Sequence, residues 1–153
     1  FVIRVPFKID LDADKREEQK DVSEKSIKGL HILLAEDNEL NMEIAEFMLQ
    51  NEGADVTKAW NGREAVEIFR KSEPDEFDVI LMDIMMPVMN GYEATKMIRS
   101  LDREDAKTIP IIAMTANAFT EDRIRAKEAG MDEHIAKPVD PELLVKVIYE
   151  SVD

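Results

Sequence analysis

Five short apolar runs, each followed by a stretch of helical periodicity, restrict this chain more than any other feature. The runs are HILLA from His31, ADVTKA, FDVILM, IPIIAM and, in weaker form, EHIAK. Short and nearly continuous apolar runs read as strands buried on both faces, the pattern of a parallel sheet. The first helix is predicted over Asn38–Asn51, with Leu40, Ile44, Ala45, Phe47 and Met48 recurring at spacings of three and four. The second begins at Asn61-Gly62 and carries Ala65, Val66, Ile68 and Phe69; the third follows Gly91 with Tyr92, Ala94, Met97 and Ile98. A fourth starts at Thr120, with Glu121 and Asp122 in its first turn, and stops at Gly130, a C-terminal cap. The last opens on Asp140-Pro141-Glu142, an N-cap followed by proline at the first helical position. Strands alternating with helices imply an α/β fold, a doubly wound five-stranded parallel sheet covered on both faces.

An open sheet of this kind gathers its functional groups at the carboxyl ends of its strands. Glu36 and Asp37 close the first run, Asp83 the third, Thr115 the fourth and Lys137 the fifth. Any one of them alone is an ordinary strand-end residue; their joint placement on one sheet edge carries the argument. Three carboxylates at close range repel one another, and a hard cation relieves that repulsion. Mg²⁺ takes a few carboxylates while keeping sites for water and ligand oxygens, and Mn²⁺ could stand in its place. Metal, carboxylate, hydroxyl and ammonium together suit phosphoryl transfer, which needs positioning and charge neutralisation more than covalent help. Asp83 is then a candidate nucleophile forming an acyl phosphate, with Thr115 and Lys137 holding phosphoryl oxygens.

Charge narrows the partners. Residues 1–29 carry seven basic and seven acidic residues, whereas residues 30–153 carry 13 and 27, so the whole net charge of −14 lies in the second part. Such a domain repels nucleic acid and anionic lipid and attracts cations or basic protein surfaces. No apolar run is long enough to cross a bilayer, so direct membrane contact by this stretch is not expected. The absence of cysteine excludes disulfides and thiolate metal sites. Residues 1–7, FVIRVPF, read as a short strand, and residues 8–29 as a charged linker too poor in apolar residues to order itself. Asp10, Asp12 and Asp14 have the opening spacing of a calcium loop, but Lys15 and Asp21 stand where Gly and Glu are needed. Met82, Met85, Met86 and Met89 form a cluster better explained by packing than by a soft metal, and His31 reads as structural.

From about Leu30 to Asp153 the chain resembles the CheY-like receiver domains of two-component signalling. The matching segments are LLAEDN, DVILMDIMMPVMNGYEATKMIR, IPIIAMTANA and the AKP of HIAKP. The resemblance implies a flavodoxin-like (βα)5 fold with strand order 2-1-3-4-5. It also implies that Asp83 is the phosphoacceptor and that Glu36 and Asp37 are the metal-binding acids, Asp37 directly and Glu36 through water. The Met85 backbone carbonyl would complete the metal site, Thr115 would be the switch hydroxyl, and Lys137 its paired lysine, with a cis bond to Pro138. His134 stands where the family often has Tyr or Phe as a moving ring, so weak coupling through that ring is expected. Met85 and Asn117 lie where the family tunes hydrolysis of the acyl phosphate, and a thioether aligns water poorly. A long-lived phosphoryl group, suited to onward transfer, is the expectation.

FVIRVPF in turn resembles the last strand of a histidine-kinase ATP-binding domain. The parent chain is thus expected to be a hybrid histidine kinase, whether or not this part counts as an enzyme by itself. The expected partners are a histidine kinase domain, of the same or a partner chain, and a histidine phosphotransfer protein. The expected location is the cytoplasm, with the parent free to be membrane-anchored elsewhere. A stand-alone response regulator acting by protein binding is the nearest competing reading. A haloacid-dehalogenase-type hydrolase wants a second acid where Met85 stands, and a flavin carrier wants a phosphate-cradling loop where EDNEL stands.

Overall fold

The structure is a computed structural model that describes residues 26–116, 120–137 and 139–152. Residues 1–25, Asn117 and Pro138 lie outside them, and with them the N-terminal strand, most of the linker, the calcium-loop residues and the cis bond. The strands are β1 (His31–Ala35), β2 (Asp55–Ala59), β3 (Val79–Asp83), β4 (Ile111–Thr115) and β5 (Glu133–Ala136). They form one parallel sheet in the order β2-β1-β3-β4-β5, as the resemblance implied. The helices are α1 (Glu39–Asn51), α2 (Gly62–Lys71), α3 (Gly91–Arg99), α4 (Glu104–Thr108), α5 (Thr120–Ala129) and α6 (Pro141–Val152).

Alternation along each central strand divides the core in two. Leu33, Ile80, Met82, Ile111 and Ala113 point to the side covered by α2, α3 and α5. Ile32, Leu34, Val79, Leu81, Ile112 and Met114 point to the side covered by α1 and α6. Both sides are dry, which is why the runs in β1, β3 and β4 are apolar at nearly every position. Ile27, within the stretch assigned to the linker, is fully buried in the second cluster, so packing reaches beyond Leu30 towards the N-terminus.

Three helices begin on asparagines in the loops that follow β1, β2 and β3. Asn38 accepts from the Asn41 amide at 2.9 Å, Asn61 from the Glu64 amide at 2.9 Å, and Asn90 from the Glu93 amide at 2.9 Å. Glu93 returns a carboxylate to the Asn90 amide, completing a capping box. These caps fix the loops that surround the carboxyl edge.

Two features go beyond what the periodicity shows. The buried stripe of α1 is Met42, Ala45 and Leu49, while Leu40, Ile44 and Phe47 are exposed. The helix has apolar residues on two faces at the same spacing, and periodicity alone cannot say which meets the sheet. The short α4 was not expected, because a helix of five residues is too brief for any period to show. It delivers Asp105 to Arg103, whose guanidinium lies 4.6 Å from the Phe69 ring centroid and donates to the Phe69 and Ser72 carbonyls. A cation thus closes the C-terminal end of α2.

Gly91 is needed by close approach. Its amide donates to the Ile84 carbonyl at 2.9 Å, and a Cβ there would collide with the carbonyl oxygen of Asp83. Gly91→Ala is therefore expected to lower stability by about 2–3 kcal/mol, read as a lower urea midpoint at unchanged m-value.

Candidate functional site

Strand register brings the acidic groups together. Ala35 lies beside Met82, so Glu36 follows at the level of Asp83; Asp83 lies beside Met114, and Thr115 beside Ala136. The Lys137 amide donates to the Thr115 carbonyl at 2.7 Å, which ties the end of β5 to the end of β4. Glu36, Asp83 and Thr115 are buried, whereas Asp37 is exposed at the mouth of the site.

Carboxylate oxygens of Glu36, Asp37 and Asp83 all lie within 4.8 Å of one another. Lys137 Nζ stands 2.7 Å from Glu36 Oε1 and 3.0 Å from Asp83 Oδ2. The other Glu36 oxygen accepts from the Asn38 amide at 3.1 Å. Burial, followed by the hydrogen bond and charge of Glu36, pushes the Asp83 carboxyl from its ordinary 3.8 up to about 7, with Lys137 opposing. Burial also works against ionised Glu36, but Lys137 and the Asn38 amide outweigh it and hold that carboxyl below its ordinary value. The ammonium of Lys137 is disfavoured by burial yet held above its ordinary value by the two carboxylates. The site is therefore short of positive charge: one lysine serves two buried acids, and a third acid waits at the rim. An all-oxygen donor set with an open, solvated side matches what Mg²⁺ accepts.

The remaining site candidates spread around this centre. Met85 lies two residues past Asp83 with its side chain 74% exposed, and the neighbouring Met86 and Met82 are buried, in keeping with packing. Val88 is also 74% exposed and adopts φ 68°, a left-handed conformation that a β-branched residue rarely tolerates. His134 is half-buried on β5. His31 pairs with Asp55 at 3.4 Å at the opposite end of the sheet, far from the acids in the fold. The sequence reading did not find the latch between two site loops, in which the Gly62 amide donates to the Met89 carbonyl at 3.1 Å. The Asn61-Gly62 pair was visible only as a helix start.

This fold and strand-end constellation define a class, and the chain belongs to the response regulator receiver domain family, whose profile matches residues 32–149. Among its relatives, hybrid signal transduction histidine kinase I of Dictyostelium discoideum is 40% identical over 123 residues, covering 79% of this chain and 7% of that protein. Histidine kinase 1 of Arabidopsis thaliana is 36% identical over 158 residues, covering 82% of this chain and 13% of that protein. The chain thus spans a small part of the curated relatives it matches. A solved receiver domain of a Pseudomonas aeruginosa sensor histidine kinase, with magnesium coordinated in its active-site cleft, is 39% identical with a TM-score of 0.73, over 81% of this chain and 98% of that one. A Saccharomyces cerevisiae response-regulator receiver, crystallised with a histidine phosphotransfer protein, is 29% identical with a TM-score of 0.71, over 80% of this chain and 88% of that one. The chain is a receiver domain of two-component or phosphorelay signalling, homologous to the receivers of hybrid histidine kinases.

The raised Asp83 carboxyl has a stability consequence. Without metal, the folded protein holds this proton up to about pH 7, whereas the unfolded chain releases it near 3.8. Stability therefore falls as pH rises between those values. In a chelator, Asp83→Asn is expected to be more stable than the parent at pH 8 by about 2 kcal/mol, an advantage that shrinks towards pH 5. Urea titrations across that range check it, and a pH-independent difference contradicts it.

Proposed function

We propose that Asp83 accepts a phosphoryl group from the phosphohistidine of a sensor kinase and passes it to a histidine phosphotransfer protein. The convergence of the Glu36, Asp37 and Asp83 oxygens within 4.8 Å, with Lys137 on Asp83, is the observation that carries this reading. Asp37 and Asp83, with Glu36 through water and the Met85 carbonyl, would hold Mg²⁺ or Mn²⁺, which neutralises charge on the phosphoryl oxygens. An Asp83 carboxylate oxygen bonds to phosphorus as the phosphorus–nitrogen bond of the donor breaks, and the imidazole departs with the electron pair. Lys137 turns from the acids to donate to a phosphoryl oxygen, and the Thr115 hydroxyl donates to another. These contacts exist only with phosphate present, so they shift the population towards a second conformation. Half-buried His134 contributes little to that shift. The weak acceptor of Met85 leaves attacking water unaligned, which favours onward transfer over hydrolysis.

The partner surface follows from the exposed face of α1. Leu40, Ile44 and Phe47 lie exposed along a helix that carries Glu39, Glu43 and Glu46 and no basic residue. An apolar stripe set among acids fits a helical partner with an apolar face and a basic rim. The yeast receiver crystallised with a histidine phosphotransfer protein supports a phosphotransfer protein as the partner. Among the described residues no helix is long and apolar enough to cross a membrane. We place the domain in the cytoplasm, in a hybrid kinase whose other segments are free to carry an anchor.

Incubation with Mg²⁺ and an acyl-phosphate donor is expected to add one base-labile phosphoryl group, located at Asp83 by mass spectrometry. Equal modification of Asp83→Asn, or none of the parent, sinks the proposal. Met85→Asn is expected to lose the group several-fold faster than the parent. Phe47→Asp is expected to slow transfer to a phosphohistidine-forming partner by about ten-fold or more, while small-donor labelling of Asp83 stays unchanged.

A further inference from the structure

We propose that Tyr92, clasped by Arg125, is the latch that holds α5 in its resting position and through which the state of Asp83 reaches that helix. This rests on the reading of Asp83 as a phosphoryl acceptor. The Arg125 guanidinium carbon lies 4.5 Å from the centroid of the Tyr92 ring. Tyr92 is buried and directly follows Gly91, whose backbone sits against the Asp83 carbonyl. The ring is therefore held in register with the acceptor strand.

The helix on the other side of this contact is lightly anchored. Across residues 123–129 only Ala126 and Ala129 are buried, and Ile124 is 53% exposed. By contrast α1 buries Met42 and Leu49, α2 Val66 and Phe69, and α6 Leu144 and Ile148. Two methyl groups bury little apolar area, so specific contacts decide where α5 sits. Its C-terminal end is pinned: Arg99 donates to the Gly130 carbonyl from Nε at 3.0 Å and from Nη2 at 2.8 Å, and Gly130 turns with φ 108°. Its N-terminal end begins five residues after Thr115, the hydroxyl that would turn towards phosphate. The helix is thus a lever, hinged at Gly130 and latched at Arg125. Among the described residues, Tyr92 is an aromatic residue in ring contact with α5.

Amide hydrogen exchange of residues 123–129, measured with Mg²⁺ before and after acyl-phosphate treatment, tests the latch. In the untreated protein, Arg125→Ala and Tyr92→Leu are each expected to speed exchange of α5 about two- to five-fold, the range of an exposed cation–ring contact. The difference between treated and untreated forms should narrow in both. Tyr92→Phe, which keeps the ring, should match the parent. Unchanged α5 exchange in Arg125→Ala, or acceleration spread evenly over α1, α2 and α6, overturns the latch. Failure of the donor to add mass at Asp83 would instead defeat the acceptor reading, and the untreated comparison would still decide the latch.

Discussion

Everything at the working edge of this domain depends on the crowding of negative charge around one ammonium. Glu36 and Asp83 are both buried, and Lys137 reaches both at hydrogen-bond distance. Neither acid can leave the cluster, because each is fixed by a neighbouring strand in register with the other. The backbone of the lysine is held as well, since its own amide is bonded to the strand beside it, while its side chain is left able to turn. Such an arrangement is stable with a cation or a proton and uneasy without one. A ligand that brings positive charge to the rim, or takes the lysine for itself, changes the balance of the whole edge.

The rest of the architecture serves to keep that edge in place. A sheet with two dry faces sets the depth of Asp83 and Glu36, and asparagine caps set the loops that follow the strands. The Gly62–Met89 bond joins the loop after β2 to the loop after β3, so these two loops hold each other in place. The two sides of the sheet differ in what they offer outward. The α1 helix is apolar and acidic with no basic residue, whereas α3 and α5 mix Lys96, Arg123, Arg125 and Lys127 with acids such as Glu93 and Glu128. One domain thus presents two chemically distinct surfaces flanking a single site.

Much of this was legible in the sequence, for identifiable reasons. Strand ends could be read because apolar runs stop abruptly at Glu36, Asp83, Thr115 and Lys137, and a parallel sheet aligns such ends. Helix starts could be read because Asn61-Gly62 and Asp140-Pro141 are local signals whose meaning does not depend on the fold. The outward face of α1 could not be read because Leu40, Ile44 and Phe47 recur at the same spacings of three and four as Met42, Ala45 and Leu49. Only the sheet decides between them. The Arg103 closure of α2 and the Arg125–Tyr92 contact join residues about thirty positions apart, and no local pattern announces them. Lys137 was expected to await phosphate; it also holds two acids, a role that depends on burial and not on residue type.

Val88 gives the loop beside Asp83 an unusual standing. Its φ of 68° is natural to glycine or asparagine and awkward for valine, and the side chain gains little from packing at 74% exposure. Valine and glycine codons differ by a single base. Relief of this backbone is therefore always one point mutation away, and so is a looser frame for the acids. The tension of the loop is a heritable setting that can be adjusted without touching any residue that handles charge.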